Sequence, residues 1–375
     1  MSSLAYIRMA VSALLAATLG FAGPPALAAT DAQDGNTQTP IQHVIVVIGS
    51  GHSFDHLFAT YVPRSGKVSN LLAKGIVNAD GTLGVQAAAL HEPALAAGVM
   101  NMQGGDLPYF RSLADQYMLA DNYHQAATSG SFANSMMLGY GDATTLKPGS
   151  APAKLRSIAD VLMQARVSWA YYGEGWGRRP ADPDNLYCAP CNPFQYQSSV
   201  MEHAAVRNRV LKDTIALDAD IRDDAMPAVA FVRPGLHDDG RGDIARFEAF
   251  ARHVVTSVQA HRNLWATTAI LITMDDAGAT YDAGYTQTID AAGDGERVPL
   301  LIVSPFTVNQ GVHHNYADHG SVLKFIEANW GLGPIGPHTR DTLPNPIVSV
   351  GQLYVPINIP AIGDLMDFFG FPEQD

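Results

Sequence analysis

Five short apolar runs divide this chain: His43–Gly49 (HVIVVIG), Val167–Tyr172, Ala228–Val232, Ala269–Met274 and Leu300–Val303. Their length and β-branched content predict strands buried on both faces. Between them, apolar positions recur at helical spacing and predict helices over Leu107–Gln116, Ser157–Ala165, Phe247–His261 and Ser321–Asn329. Apolar strands alternating with amphipathic helices predict an α/β fold, with a mostly parallel central sheet and helices on both faces. Two stretches break the alternation. Residues 65–98, with the turn signal Asn78-Ala79-Asp80-Gly81, read as an excursion outside the sheet, and residues 173–204, rich in Gly, Pro and Tyr, read as a cap over the sheet near the candidate site. Five prolines between Gly333 and Pro356 predict a tail wrapped over the surface.

The N-terminus changes the picture of where this fold works. Arg8, the apolar stretch Met9–Phe21 and the small residues Ala26-Leu27-Ala28 have the layout of a secretory signal over residues 1–29. The apolar stretch is short for the ~20 residues that a membrane span needs. The expected organisation is therefore a signal peptide over 1–29 and one domain over 30–375, exported to the periplasm or secreted. Residues 30–41 read as a flexible mature N-terminus. A net charge of -13 argues against nucleic acid as a partner, because phosphate backbones are gripped by clustered Lys and Arg. Both cysteines, Cys188 and Cys191, fall in YCAPCNPFQY. Export favours a disulfide that pins this loop, over half a zinc site or a redox pair.

Candidate chemistry gathers where predicted strands open into loops, the usual place for sites on open α/β sheets. Asp275 and Asp276 follow the strand Ala269–Met274 directly. Two adjacent carboxylates at a buried strand end need neutralising, which a divalent metal does well; the alternative is a solvated turn. Ser131 lies in the hydroxyl-rich loop Thr128-Ser129-Gly130-Ser131, ahead of a helix expected to start near Met136. It is a candidate nucleophile, or simply the cap of that helix. His319, after Asp318, is a candidate metal ligand, general acid or capping partner, while His313 and His314 read as exposed loop residues.

At these residues the chain resembles the bacterial phosphoesterase family, which includes exported phospholipases C and acid phosphatases and belongs to the alkaline-phosphatase-like superfamily. The likeness runs from Ile41 to about Pro346. It is carried by HVIVVI with SFDHLFATY, ADNYHQ with GSFAN, CAPCNPFQY, TAILITMDD, RVPLLIVSPF and DHGSVLKFIEANWGL. The resemblance implies an alkaline-phosphatase-like fold capped by loop excursions, with Ser131 as the nucleophile and a divalent metal ion held by Asp275 and Asp276. It further implies that Asn134, Asp318 and His319 line the same pocket, with His319 catalytic and Asn134 and Asp318 binding substrate. The implied substrates are small phosphomonoesters or phospholipid-type diesters.

The chain also departs from the family pattern. The family's opening Glu-Asn-Arg is Ser50-Gly51-His52 here, a His is replaced by Ser135, another is displaced to His237 or absent, and Ala283 follows Asp282 where several members have His. Losing the Glu and Asn together removes one negative charge and two oxygen donors, which weakens a divalent site. Two expectations follow: a phosphate-ester hydrolase using Ser131, or a catalytically impaired relative that binds a phosphorylated or lipid ligand. A metal-free serine esterase is a third, disfavoured by the absence of a G-x-S-x-G elbow.

Overall fold

The computed structural model describes residues 34–90, 95, 98–179, 182, 185–308 and 311–371. The signal read over residues 1–29 lies outside them. No helix among the described residues is long and apolar enough to cross a membrane.

Among the described residues ten strands form the framework: β1 (His43–Gly49), β2 (Met118–Ala120), β3 (Tyr123–His124), β4 (Trp169–Gly173), β5 (Leu211–Lys212), β6 (Val229–Arg233), β7 (Thr268–Met274), β8 (Leu300–Val303), β9 (Gly311–His313) and β10 (Ala317–Asp318). Eight of them make one sheet in the order β5-β4-β6-β1-β7-β8-β2-β9, and β3 and β10 pair separately. β5, β4, β6, β1 and β7 are mutually parallel, whereas β8 runs antiparallel to both β7 and β2. The sheet is thus mostly parallel, as its apolar runs predict. At its centre Val44, Ile45, Val46, Val47, Val229, Val232, Ile270 and Leu271 are fully buried. Each such aliphatic side chain contributes roughly 1.5–3 kcal/mol by leaving water.

Helix boundaries follow capping chemistry. Ser157 Oγ accepts from Ala159 N at 3.1 Å while Asp160 Oδ2 accepts from Ser157 N at 3.1 Å, a capping box that starts the helix Ile158–Ala165. Asp318 caps His319–Trp330 in the same way, and Gly331, at φ 61°, ends it in the left-handed conformation. The long helix spans Ile244–Ala260, started by Asp243, so it begins before the Phe247 expected from periodicity.

Two corrections concern the loops. The segment after Gly333 keeps to the surface over most of 342–360, as expected, but it is anchored by the buried Arg340 and Asp341, and beyond it Ala361, Ile362, Leu365 and Phe368 enter the core. His313 and His314 are only partly exposed, and each lies against a carboxylate, His314 Nδ1 2.7 Å from Asp121 and His313 Nε2 3.1 Å from Asp367. The excursion over 65–98 does leave the sheet. Leu71, Ile76, Val77, Ala87 and Leu95 form a small core of their own with Ala59.

Candidate active site

Because β6, β1 and β7 are adjacent and parallel, their C-terminal ends lie side by side. β6 ends on Arg233, β1 opens into Ser50-Gly51, and β7 opens into Asp275-Asp276. Asp275 N donates to Gly49 O at 2.9 Å and Gly51 N to Asp276 O at 3.0 Å, so sheet-like pairing continues past the strand ends and fixes the acid pair. This is the edge at which open α/β sheets hold their ligands.

Ser131 joins this edge from another element. The helix that carries it runs Gly130–Tyr140, beginning before the expected Met136, so Ser131 lies in its first turn rather than in the preceding loop. The cap position belongs to Ser129, whose side chain makes no capping bond. Ser131 Oγ donates a short hydrogen bond to Asp275 Oδ2 across 144 positions of sequence. The hydroxyl therefore sits beside both a carboxylate and the free N–H groups of a helix start.

The same Asp275 oxygen is shared with a cation. Arg233 Nη1 donates to Asp275 Oδ2 at 2.6 Å, and Arg233 Nη2 lies 3.7 Å from Asp239 Oδ2. Arg233 is 1 % exposed. Burial pulls its pKa down, but the charges of Asp275 and Asp239, with Tyr171 between them, outweigh this and raise it, so the guanidinium stays charged. Asp276 Oδ1 accepts from Gly51 N at 2.9 Å and from Ser50 Oγ at 3.3 Å. Burial, and then the charge of Asp275, push the Asp276 carboxyl above its ordinary range.

A second arginine lies at the mouth. Arg241, 40 % exposed along its side chain, reaches Asp239 Oδ2 at 3.1 Å and Cys191 Sγ at 3.5 Å. Its stem packs over Gly51, where a Cβ would meet Arg241 Cγ at 3.1 Å. Cys188 and Cys191 form a disulfide, and Cys191 Sγ is 3.8 Å from Ser131 Oγ. The loop over 173–204 thus brings one sulfur into contact with both the hydroxyl and the Arg241 guanidinium.

The remaining sequence candidates are engaged by the fold. Asn134 is fully buried, and its amide bonds Ala127 N, Ala127 O and Gly130 O, bracing the turn that presents Ser131. Asp318 is held by Arg340 Nη1 at 2.9 Å. His319 Nε2 donates to Met274 O at 3.0 Å, one residue before Asp275, and its Nδ1 faces Ala126 N at 3.4 Å. Burial lowers its pKa to about 4, so the ring is neutral. His52 uses Nε2 on Gly240 O at 2.8 Å and Nδ1 on His56 at 3.0 Å, and His237 is exposed.

A divalent cation needs several oxygen or nitrogen donors converging at about 2.0–2.6 Å. Among the described residues no three or more His, Cys, Asp or Glu side chains are grouped to hold one. Asp275 Oδ2 is taken by Ser131 and Arg233, and Asp276 Oδ1 by Gly51 and Ser50. A fixed guanidinium beside the acid pair repels a second cation. The residues present do not fit the metal that the resemblance implies.

Arg233, Asp239 and Arg241 were not among the sequence candidates. Arg233 carries the same local signal as Asp275, since both are charged residues at the end of a buried apolar run. Stopping the strand at Val232 hid it.

The model of the Phosphoesterase family matches residues 86–333, more than half of the chain. The chain belongs to the Phosphoesterase family. Among curated phosphoesterase relatives, it is 24% identical over 329 residues to a non-hemolytic phospholipase C of Burkholderia pseudomallei, covering 73% of this chain and 45% of that protein. It is 23% identical over 193 residues to a phosphate-repressible acid phosphatase of Penicillium chrysogenum, covering 49% of this chain and 44% of that protein. The chain therefore spans less than half the length of both. A solved structure described as a protein in the alkaline phosphatase superfamily, from Vibrio parahaemolyticus, is 10% identical with a TM-score of 0.41, covering 76% of this chain and 65% of that one. The family match begins at residue 86, so β1 and the Ser50-Gly51 loop of this chain lie outside it.

Proposed function

We propose that this chain hydrolyses phosphate esters, phosphomonoesters or phospholipid-type diesters, through Ser131. The observation that carries the reading is the hydrogen bond from Ser131 Oγ to Asp275 Oδ2 at the first turn of a helix, because it supplies an oriented hydroxyl with an acceptor for its proton. The helix N–H groups and the exposed Arg241 beside Cys191 offer favourable contacts to phosphoryl oxygens. In the first half-reaction Ser131 Oγ bonds to phosphorus as the bond to the ester oxygen breaks. The hydroxyl proton passes to Asp275, and the departing alkoxide is protonated by water. Water then attacks the phosphoserine, Ser131 recovers its proton, and phosphate or a phosphomonoester leaves.

The protein is further proposed to work outside the cytoplasm. The N-terminal layout of residues 1–29 and the Cys188–Cys191 disulfide support this.

A specific observation favours a second reading, in which the chain binds phosphate esters without turnover. Arg233 Nη1 already donates at 2.6 Å to the carboxylate oxygen that receives the Ser131 hydrogen bond, so the oxygen that would take the hydroxyl proton is engaged by a guanidinium. Hydrolysis of p-nitrophenyl phosphate and p-nitrophenyl phosphorylcholine, with Ser131→Ala alongside, separates the two. Turnover that disappears in Ser131→Ala establishes the hydrolase. Absence of turnover together with calorimetric binding of either compound establishes the binding protein.

A further inference from the structure

Three charged groups at the sheet edge carry an inference that goes beyond the hydrolase reading and holds whether or not the site turns over. Asp275 and Asp276 follow β7 and Asp239 follows β6, so three carboxyl groups stand at this edge of the sheet, and Asp275 holds the Ser131 hydroxyl. Asp275 and Asp239 are fully buried. Such a group cannot persist without positive charge. Arg233 supplies it from the sheet itself: the last residue of β6, with Nη1 on Asp275 at 2.6 Å and Nη2 3.7 Å from Asp239. Arg233 Nε and Nη2 and Asp275 Oδ1 make no hydrogen bond within the fold. The pair is therefore held by one charge-assisted hydrogen bond, from Nη1 to the single oxygen that also holds Ser131.

We propose that the Arg233 guanidinium is the resident cation of this site, occupying the position beside Asp275 that a divalent metal would otherwise take and acting as a positioning residue for the Ser131–Asp275 pair. A guanidinium differs from a metal ion in two ways that matter here. It is tethered, so the site is charged and ordered without loading. It also presents N–H donors rather than vacant coordination positions, so it steadies Asp275 but cannot bind the Ser131 oxygen as a ligand.

Metal binding is the test, because its readout is independent of catalysis. The purified full chain is titrated with Mn2+ by electron paramagnetic resonance, as wild type, Asp275→Asn, Arg233→Ala and Arg233→Ala/Asp275→Asn. The expected result is that wild type and Asp275→Asn give the same isotherm, while Arg233→Ala gains about one equivalent of bound Mn2+. That gain is lost again in Arg233→Ala/Asp275→Asn. Wild-type binding that depends on Asp275 overturns the proposal, and so does a folded Arg233→Ala with no gain. Should Arg233→Ala fail to fold alone, it is refolded with and without millimolar Mn2+. Recovery with Mn2+ only supports the proposal, and no recovery overturns it. Failure of the hydrolase reading shows separately, as absent turnover.

Discussion

The Ser131 hydroxyl and the Arg233 guanidinium meet on one oxygen, Oδ2 of Asp275. The nucleophile candidate is thus coupled to a buried ion pair, and disturbing either partner changes the other. Charge pairing predicts the cost. Arg233→Met leaves Asp275 buried with only a hydroxyl donor, and should destabilise the fold by roughly 3–5 kcal/mol. Arg233→Met/Asp275→Asn removes both charges and should recover most of that loss. Urea unfolding of the two single variants and the double variant measures the coupling. Additive losses would show that the pair is not what holds this edge together.

Gly278 tests how the acid pair is fixed. Its φ is 60°, and a Cβ there would lie 2.6 Å from the carbonyl oxygen of Gly51, a backbone atom with no rotamer to escape into. Gly51 in turn donates its N–H to Asp276 Oδ1. Gly278→Ala should therefore cost about 2 kcal/mol or more, from the left-handed conformation plus the clash. It should also displace Asp276. A thermal melt gives the first effect and a crystal structure of the variant the second, and a variant as stable as wild type contradicts both.

The central strands were legible because a parallel sheet buried on both faces leaves continuous apolar runs, and β1, β4, β6, β7 and β8 all coincide with such runs. β2, β5 and β9 were not, since each has two or three residues and pairs through its backbone, leaving no pattern to read. The start of the Ser131 helix was hidden by Gly130, Ser131, Asn134 and Ser135, which read as loop. Asn134 compensates by bonding back to the turn. At the site, Asp275 and Ser131 were found because an acid after a strand and a hydroxyl before a helix are local signals. Arg233 and Asp239 take their meaning from the adjacency of β6 to β1, which is a property of the sheet and not of any local stretch.

His319 should titrate far from neutrality. Burial holds its pKa at about 4, against an ordinary 6.5, with Nε2 donating to Met274 and Nδ1 facing the Ala126 N–H. The folded value lies below the unfolded one. Its contribution to stability is therefore complete above pH 6.5 and is lost as pH falls through the window down to about 4, where both states become protonated. The stability difference between wild type and His319→Gln should shrink by on the order of 1–2 kcal/mol between pH 7 and pH 5. Imidazole proton shifts followed by NMR should show no His319 titration above pH ~5.5. A midpoint near 6.5 contradicts the buried neutral ring.

Glu327 has the opposite sign. Burial, then the charge of Asp341 and a hydrogen bond shared with it, push the Glu327 carboxyl up to about 10 from an ordinary 4.5. The folded chain keeps this proton while the unfolded chain releases it. The associated stability is whole below pH 4.5 and is lost as pH rises through the interval up to about 10. Glu327→Gln keeps the shape and a donor for Asp341 but has no proton to lose. It should match wild type near pH 4.5 and exceed it increasingly toward pH 8, by up to roughly 1.4 kcal/mol per pH unit, which raises its melting temperature relative to wild type. Differential scanning calorimetry of both proteins across that interval measures the crossing. Parallel melting curves at every pH would mean that the Glu327 carboxyl ionises in the fold as readily as in the unfolded chain.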